Sequence, residues 1–209
     1  MCYSAESSLT SFLIGGSLSL YLILCGKNNT NKYIGLFLFS VCLIQLLEYL
    51  MWIDQDCGWK NDIASRSIML VLSLQLYTIF LGAYLYETTL ISNTILKIIL
   101  IILTPIFIYF GFKDYFEKDK KWCTRPNEDN SLQWANQGSS KMLSYVYYGI
   151  FLISPFMFKE LWKGFIILIF GLLTFLITRY ENTLTSNSRW CYFSSFTPII
   201  FILLDIVKR

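Results

Sequence analysis

Seven long apolar blocks separated by short polar connections constrain this chain more than any other feature of it. They run near Ser7 to Gly26, Tyr33 to Ile53, Ser67 to Tyr86, Asn93 to Phe112, Met142 to Phe158, Leu161 to Thr178 and Trp190 to Leu204. A helix that spans a bilayer needs about 20 mostly apolar residues, because the hydrocarbon core offers its backbone no partner outside the helix. The fourth and sixth blocks are the weakest: their charge-free cores run to about 15 residues and need Lys97 and Arg179 to reach the headgroups. Six or eight spans are the alternatives to seven. Strands of a membrane barrel alternate apolar and polar residues over about ten positions, which these blocks do not, so the expected fold is all-α. A single transmembrane domain over residues 1–209 is expected, with one extended polar loop at 113–141. Only 15% of the residues are charged and 55% are hydrophobic, against about a quarter charged in soluble domains, so the lipid bilayer is the expected solvent.

The only charge before the first block is Glu6, and Lys27 follows it. That is the reverse of a signal peptide, so the block is expected to remain as a span. An odd number of spans puts the termini on opposite faces. The N-terminus and the connections at 54–66, 113–141 and 179–189 share face A, and the C-terminus lies on face B. Face B carries Lys27, Lys32, Lys97, Lys159, Lys163, Lys208 and Arg209 against Glu87, Glu160 and Asp205, in short connections where the positive-inside rule is strongest. This predicts an integral, multi-pass protein with an extracytoplasmic N-terminus and a cytoplasmic C-terminus. Asn28, in NNT, is a formal glycosylation acceptor that this orientation leaves unmodified. The net charge of +3 needs no nucleic-acid partner to explain it. The run from Lys113 to Lys121 mixes both signs and reads as a solvated helix end rather than a headgroup site.

The chain has no histidine. Serine, cysteine and zinc hydrolases of the usual kinds lose their imidazole base or ligand, and haem loses its histidine ligand. No Gly-rich nucleotide-binding loop is present. A retinal protein needs a buried lysine on the last helix, and that block is lysine-free from Trp190 until Lys208.

Against these exclusions stands one positive pattern. Cys42, Gln45, Glu48 and Trp52 recur at spacings of three, three and four, which places them on one face of the second helix. Glu48 is the one acid well inside an apolar block, and an ionisable group at that depth costs about 2.5–3.5 kcal/mol on insertion scales. It must face protein or water. One reading makes it a proton or cation site, since desolvation favours the neutral acid. The other makes it half of an ion pair with Arg66, Arg179 or Arg189. Ser73, Tyr77 and Tyr84 share a face of the third helix, with Gln75 on a neighbouring one, and either continue a polar pathway or glue helices together. Ser154 with Pro155, and Thr197 with Pro198, are expected to kink the fifth and seventh helices, where the freed carbonyls either serve as ligands or are satisfied again by neighbours. Gly15, Gly16 and Ser19 allow close helix approach within one chain or in a homo-oligomer.

Four of the six cysteines, Cys2, Cys57, Cys123 and Cys191, fall on face A. Cys57 and Cys123 each lie beside a Trp in a hydrophilic loop and are the first candidate pair for a disulfide, with two free thiols as the alternative. Cys2 and Cys191 reach the membrane level of Glu48. A thiolate pair beside a carboxylate suits a soft metal such as Cu(I), or redox chemistry; two inert buried thiols are the plainer reading. The stretch from Thr124 to Ser140 is either a lid or a tether.

MCYSAESS at the start, QLLEYLMW in the second helix and SRWCYF before the last one resemble a multi-span membrane family of bacteria, algae and large DNA viruses, for which no activity is established. Its members begin Met-Cys-aromatic-Ser-Ala, carry Gln and Glu followed by Trp in an early helix, and have Trp-Cys-aromatic near the C-terminus. The resemblance implies that Cys2, Ser4, Ala5, Gln45, Glu48, Trp52, Trp190 and Cys191 occupy shared positions. Tyr49 stands where a Gly is expected after the Glu, which departs from the pattern at a point of close helix packing.

Three functions fit these residues. The first is a channel or transporter for protons or small cations, with Glu48 as its binding site, Gln45 as its partner and Trp52 and Trp190 as the constriction on face A. The second is a membrane enzyme or metal-thiolate redox protein using Cys2, Cys191 and Glu48. The third is a seven-span receptor or scaffold in which the polar residues only fix the packing. The first accounts best for the acid.

Overall fold

The computed structural model describes residues 4–117, 120–135, 141–181 and 184–207, without the side chains of 141–144. The fold is all-α. Its helices are α1 (Ala5–Cys25), α2 (Asn29–Trp52), α3 (Trp59–Tyr86), α4 (Asn93–Phe116), α5 (Lys141–Ile153), α6 (Leu161–Glu181), α7 (Ser186–Ser194) and α8 (Thr197–Val207). A 3-10 turn, Ser154–Met157, prolongs α5, and two short strands, β1 (Arg125–Pro126) and β2 (Leu132–Gln133), form an antiparallel hairpin. Polar caps start the helices where the apolar blocks begin: Ser4 accepts from the Ser7 N–H at 3.2 Å and Asn28 from the Asn31 N–H at 2.9 Å.

Six helical segments are long and apolar enough to cross a membrane, with α7 and α8 counted together. The expectation that the fourth and sixth blocks are weakest is not met, since α4 is the most apolar of the six and α6 runs to 21 residues. The short element is instead the fifth, Tyr145–Met157. Pro155 lies at the start of its 3-10 turn, and Pro198 sits in the first turn of α8 just after the break that ends α7. Where kinks are expected the helices are interrupted outright, because proline removes a helical N–H and crowds the preceding turn.

Helix α2 is the axle of the bundle and packs against α1, α3, α7 and α8. Of the spanning windows, 61% of α2 and 56% of α3 lie buried, against 11% of α4, which packs along α3 and shows its outer face to lipid. Helix α1 is patterned for a bilayer. Ser8, Ser11, Gly15 and Ser19 form its buried face, while Leu13, Ile14, Leu20 and Leu24 point outward. Small residues let the backbones approach closely. A Cβ at Gly15 would lie 2.3 Å from the Ser195 carbonyl and 2.8 Å from Cys42 Sγ, so this glycine is used inside the chain, at the α7–α8 break. At Gly16 a Cβ would meet nothing closer than 3.6 Å.

The connections are tied at both ends of the bundle. On face B, Leu90 N–H donates to Met157 O and Lys159 N–H to Thr88 O, both at 2.8 Å, pairing the α3–α4 and α5–α6 connections. Buried Lys163 donates to Asn28 Oδ1 at 3.0 Å and Asn31 Oδ1 at 2.8 Å and pairs with Glu160 at 2.9 Å, while Asn31 donates to Asp205 Oδ2 at 2.5 Å. On face A, Asp54 receives the N–H groups of Gly58, Lys60 and Asn61 at 2.9, 3.0 and 3.1 Å. These bonds, that of Asn61 foremost, hold the Asp54 carboxyl below the usual carboxylate range.

Two outcomes follow from this packing. Gly15→Ala should destabilise the protein by about 1–3 kcal/mol through overpacking, read as a lower unfolding temperature in detergent, whereas Gly16→Ala should leave it nearly unchanged. The ionised Asp54 is favoured by folding, so its stabilisation is present above the ordinary carboxylate value and is lost as pH falls through the lowered folded value. Acid titration of unfolding should show that loss in wild type and not in Asp54→Asn.

Candidate functional site

Glu48 sits on α2 near its face A end with no exposed surface. Its carboxylate accepts two side-chain donors: Gln45 Nε2 to Oε2 at 2.9 Å, one helical turn earlier, and Trp134 Nε1 to Oε1 at 3.0 Å. Both donors are neutral and themselves buried. Two of the three arginines expected near Glu48 are engaged with other groups. Arg66 pairs with Asp62 at 2.9 Å and donates to the carbonyls of Asp114, Glu117 and Lys120 at 2.5, 3.1 and 2.5 Å, where it satisfies the end of α4. Arg189 pairs with Glu181 and lies 3.7 Å from Asp129.

Trp134 reaches Glu48 because the polar loop folds back over the face A end of the bundle. The structure joins Cys57 to Cys123 by a disulfide with a Cα–Cα distance of 5.3 Å. Closing a loop of 66 residues is worth about 4 kcal/mol in the chain-entropy account. Next to it, Asn61 donates to Thr124 O at 2.9 Å and accepts from Thr124 N–H at 2.9 Å, Ser65 meets Thr124 Oγ1 at 2.8 Å, and Asp62 receives the Trp122 N–H at 2.8 Å. The hairpin turns at Asn130, whose φ of 53° is left-handed, a conformation Asn tolerates better than most residues. Strand β2 then places Leu132 and Trp134 on the inner side, separated by exposed Gln133. Leu132 and Trp134 pack with Ile44, Met51, Ala64, Ile68, Val71 and Cys191. Over its described residues, 124–135, the segment therefore packs on the face A end of the bundle.

Cys191, on α7, is buried in that same cluster and lies within electrostatic range of Glu48 and Cys42. Cys42 is also buried, with its thiol 4.0 Å from Ser195 O. Both are free thiols. Cys2 lies outside the described residues, among which no group of three Cys, Asp or Glu side chains is placed to hold a metal ion.

Other expected site residues are placed elsewhere. Trp52 packs at the edge of the Glu48 cluster, but Trp190 belongs to a separate aromatic group with Tyr147, Phe151 and Phe175, its Nε1 donating to Gly171 O at 3.0 Å. The expected Trp52–Trp190 constriction is thus not assembled. Tyr77 turns to α4, where its hydroxyl lies 3.4 Å from Thr104 Oγ1 and its ring stacks on Phe107, and Tyr84 is exposed. Neither reaches Glu48, because their face of α3 points away from α2.

The inward face of α3 carries Gln75 instead. Fully buried, it accepts from the Tyr147 hydroxyl at 2.6 Å and donates to Ser40 O at 3.5 Å, and Ser40 meets Thr78 at 3.1 Å. Trp134 and Tyr147 were not legible as site residues. The alternation of Leu132 and Trp134 in an otherwise polar loop is the one sequence signal that marks a buried strand there.

A scan against protein-family models finds no match. Searches of characterised proteins and of solved structures likewise find none. Function must be argued from the site itself.

If Trp134 caps Glu48, Trp134→Phe should keep the apolar packing and lose the N–H donor, at about 1–3 kcal/mol. Labelling of Glu48 by a hydrophobic carbodiimide, followed by peptide mass analysis, should be faster in that variant than in wild type. Equal rates would mean that the loop does not guard the carboxyl.

Proposed function

We propose that this chain is a membrane channel or transporter for protons or small cations, with Glu48 as its ion-binding group. One observation carries the reading: a carboxylate buried without exposed surface, within a helix apolar enough to span a membrane, is held by the neutral donors Gln45 and Trp134. An acid kept at that depth is costly to retain for packing alone. Hydrogen bonds from Gln45 and Trp134 favour the anionic form of the acid, and a site that binds a cation requires an anion there. In this conformation the lid closes the face A side, as expected of an occluded state.

The proposed orientation has face A extracytoplasmic. The Cys57–Cys123 disulfide on that face suits an oxidising compartment, and the lysine excess of the short face B connections suits the cytoplasm. A second reading, a metal-thiolate or redox protein, is supported by the free thiol of Cys191, packed with Trp134 in the cluster over Glu48, and Cu(I) is the ion that a thiolate donor would select.

Flux through proteoliposomes containing the purified protein, under proton, potassium and sodium gradients, tests the first reading. Wild type should carry at least one of these ions, and Glu48→Gln should abolish that flux while the protein remains monodisperse and folded. Absence of flux under every gradient, with copper bound stoichiometrically by wild type and lost in Cys191→Ser, would establish the second reading instead.

A further inference from the structure

Between the Glu48 site and face B lie two small cavities that share part of their walls. The first holds about 20 Å³ and is lined by Val41, Tyr147, Trp190, Cys191, Ser194 and Thr197, among others. The second holds about 10 Å³ and is lined by Tyr33, Ile34, Ile79, Ser154, Pro155 and Phe158, among others. Phe37, Phe151 and Ile167 line both. Each volume admits about one water molecule. Cys191 connects the first cavity to the site, since it lines that cavity and packs in the cluster of Trp134, the donor to Glu48. Phe158 and Pro155 connect the second to face B: Phe158 lies in the bridge between the α3–α4 and α5–α6 connections, and the Pro155 carbonyl closes on Gly164 at the start of α6.

On the reading of Glu48 as an ion-binding group, we infer that the translocated species is the proton and that Phe37, Phe151 and Ile167 form the hydrophobic constriction on its route from Glu48 to face B. The argument is one of ligands. A sodium or potassium ion stripped of water needs several oxygen ligands around it. Of the side chains that line the two cavities, the hydroxyls of Tyr147, Ser194 and Thr197 are the oxygen ligands in the first and those of Tyr33 and Ser154 in the second. Neither cavity gathers the shell of oxygens that a dehydrated metal cation needs. A proton needs much less. Glu48 releases a proton past Cys191 to a water in the first cavity, that water passes a proton to one in the second, the second water gives one up to solvent at face B, and the carboxylate is reprotonated from face A, so that one proton crosses per cycle and each water ends as it began.

The constriction is apolar on all three sides, which sets a barrier to a charged water and keeps the resting protein from leaking. Phe151 is braced by Trp190, edge to face at 5.2 Å, and would touch a Cβ at Gly171. Ile167 lines both cavities and, unlike Phe151, takes no part in the ring stack on Trp190, so it is the residue to trim. Proteoliposomes with an internal pH dye and a clamped membrane potential supply the test, with Ile167→Ala, Ile167→Phe and Glu48→Gln compared after each is shown to elute as wild type. Wild type should carry protons and neither sodium nor potassium. Ile167→Ala should raise proton flux severalfold, and Ile167→Phe should lower it. Sodium or potassium flux that Glu48→Gln abolishes would overturn the proton assignment and leave the Glu48 reading standing. Proton flux that Glu48→Gln abolishes but both Ile167 variants leave unchanged would overturn the constriction. No flux of any ion would remove the reading on which both rest.

Discussion

A carboxylate taken out of water costs several kcal/mol unless donors replace its lost hydration. The face A half of this molecule is organised around that debt. Glu48 lies in α2, the helix that touches most of the others, so its donors must come from α2 itself or from something laid over the end of the bundle. Gln45 is the first kind and Trp134 the second. For Trp134 to reach inward the loop must fold back, and a polar loop does not stay on an apolar bundle unaided. The disulfide, the Asn61 and Ser65 bonds to Thr124, and the carbonyls gathered by Arg66 supply the anchorage. Without that anchorage the tryptophan would have little reason to remain over the acid.

The bilayer imposes the second constraint, and α1 shows it best. In water its serine and glycine face would point outward, yet here that face is buried and the leucines point to lipid. Lipid is as apolar as leucine, so burying leucine between helices gains little, whereas small residues gain close contact. Gly15 against the Ser195 carbonyl lets α1 approach the point where α7 gives way to α8, and Gly35 similarly admits Ser19 and Leu22 of α1 against α2.

This inversion also explains what could be read from the sequence. The spans were legible because length and apolarity alone define them, and the acid was legible because nothing else charged lies so deep. The faces were harder. Periodicity groups Ser73, Tyr77 and Tyr84 on one side of α3 and Gln75 on another, but it does not say which side looks inward. Tyrosine is content at a lipid boundary, and the side toward α2 proved to carry Gln75, while Ser73 is buried beside Tyr77 against α4. Trp134 was out of reach for a different reason: it lies 86 residues from Glu48, and only the folded-back loop brings the two together. The fifth span was over-read because Met142 to Phe158 counts as apolar whether it forms one helix or, as here, a shorter helix ended by Pro155.

The same anchors define how such a lid can move. Cys123 and Thr124 are fixed to the start of α3, so displacement falls on the hairpin beyond them. That hairpin is not independent of the bundle. Its turn residue Asp129 accepts from Thr185 at 2.8 Å and faces Arg189, at the first turns of α7. Helix α7 has nine residues, ends at a break before α8, and carries Trp190 and Cys191, which line the first cavity. The hairpin that carries Trp134 is therefore tied to the helix that walls the cavity below it. On the proposed reading as a carrier, opening of the carboxylate to face A and rearrangement of the cavity leading to face B are then one event, the coupling that keeps two sides of a carrier from opening together.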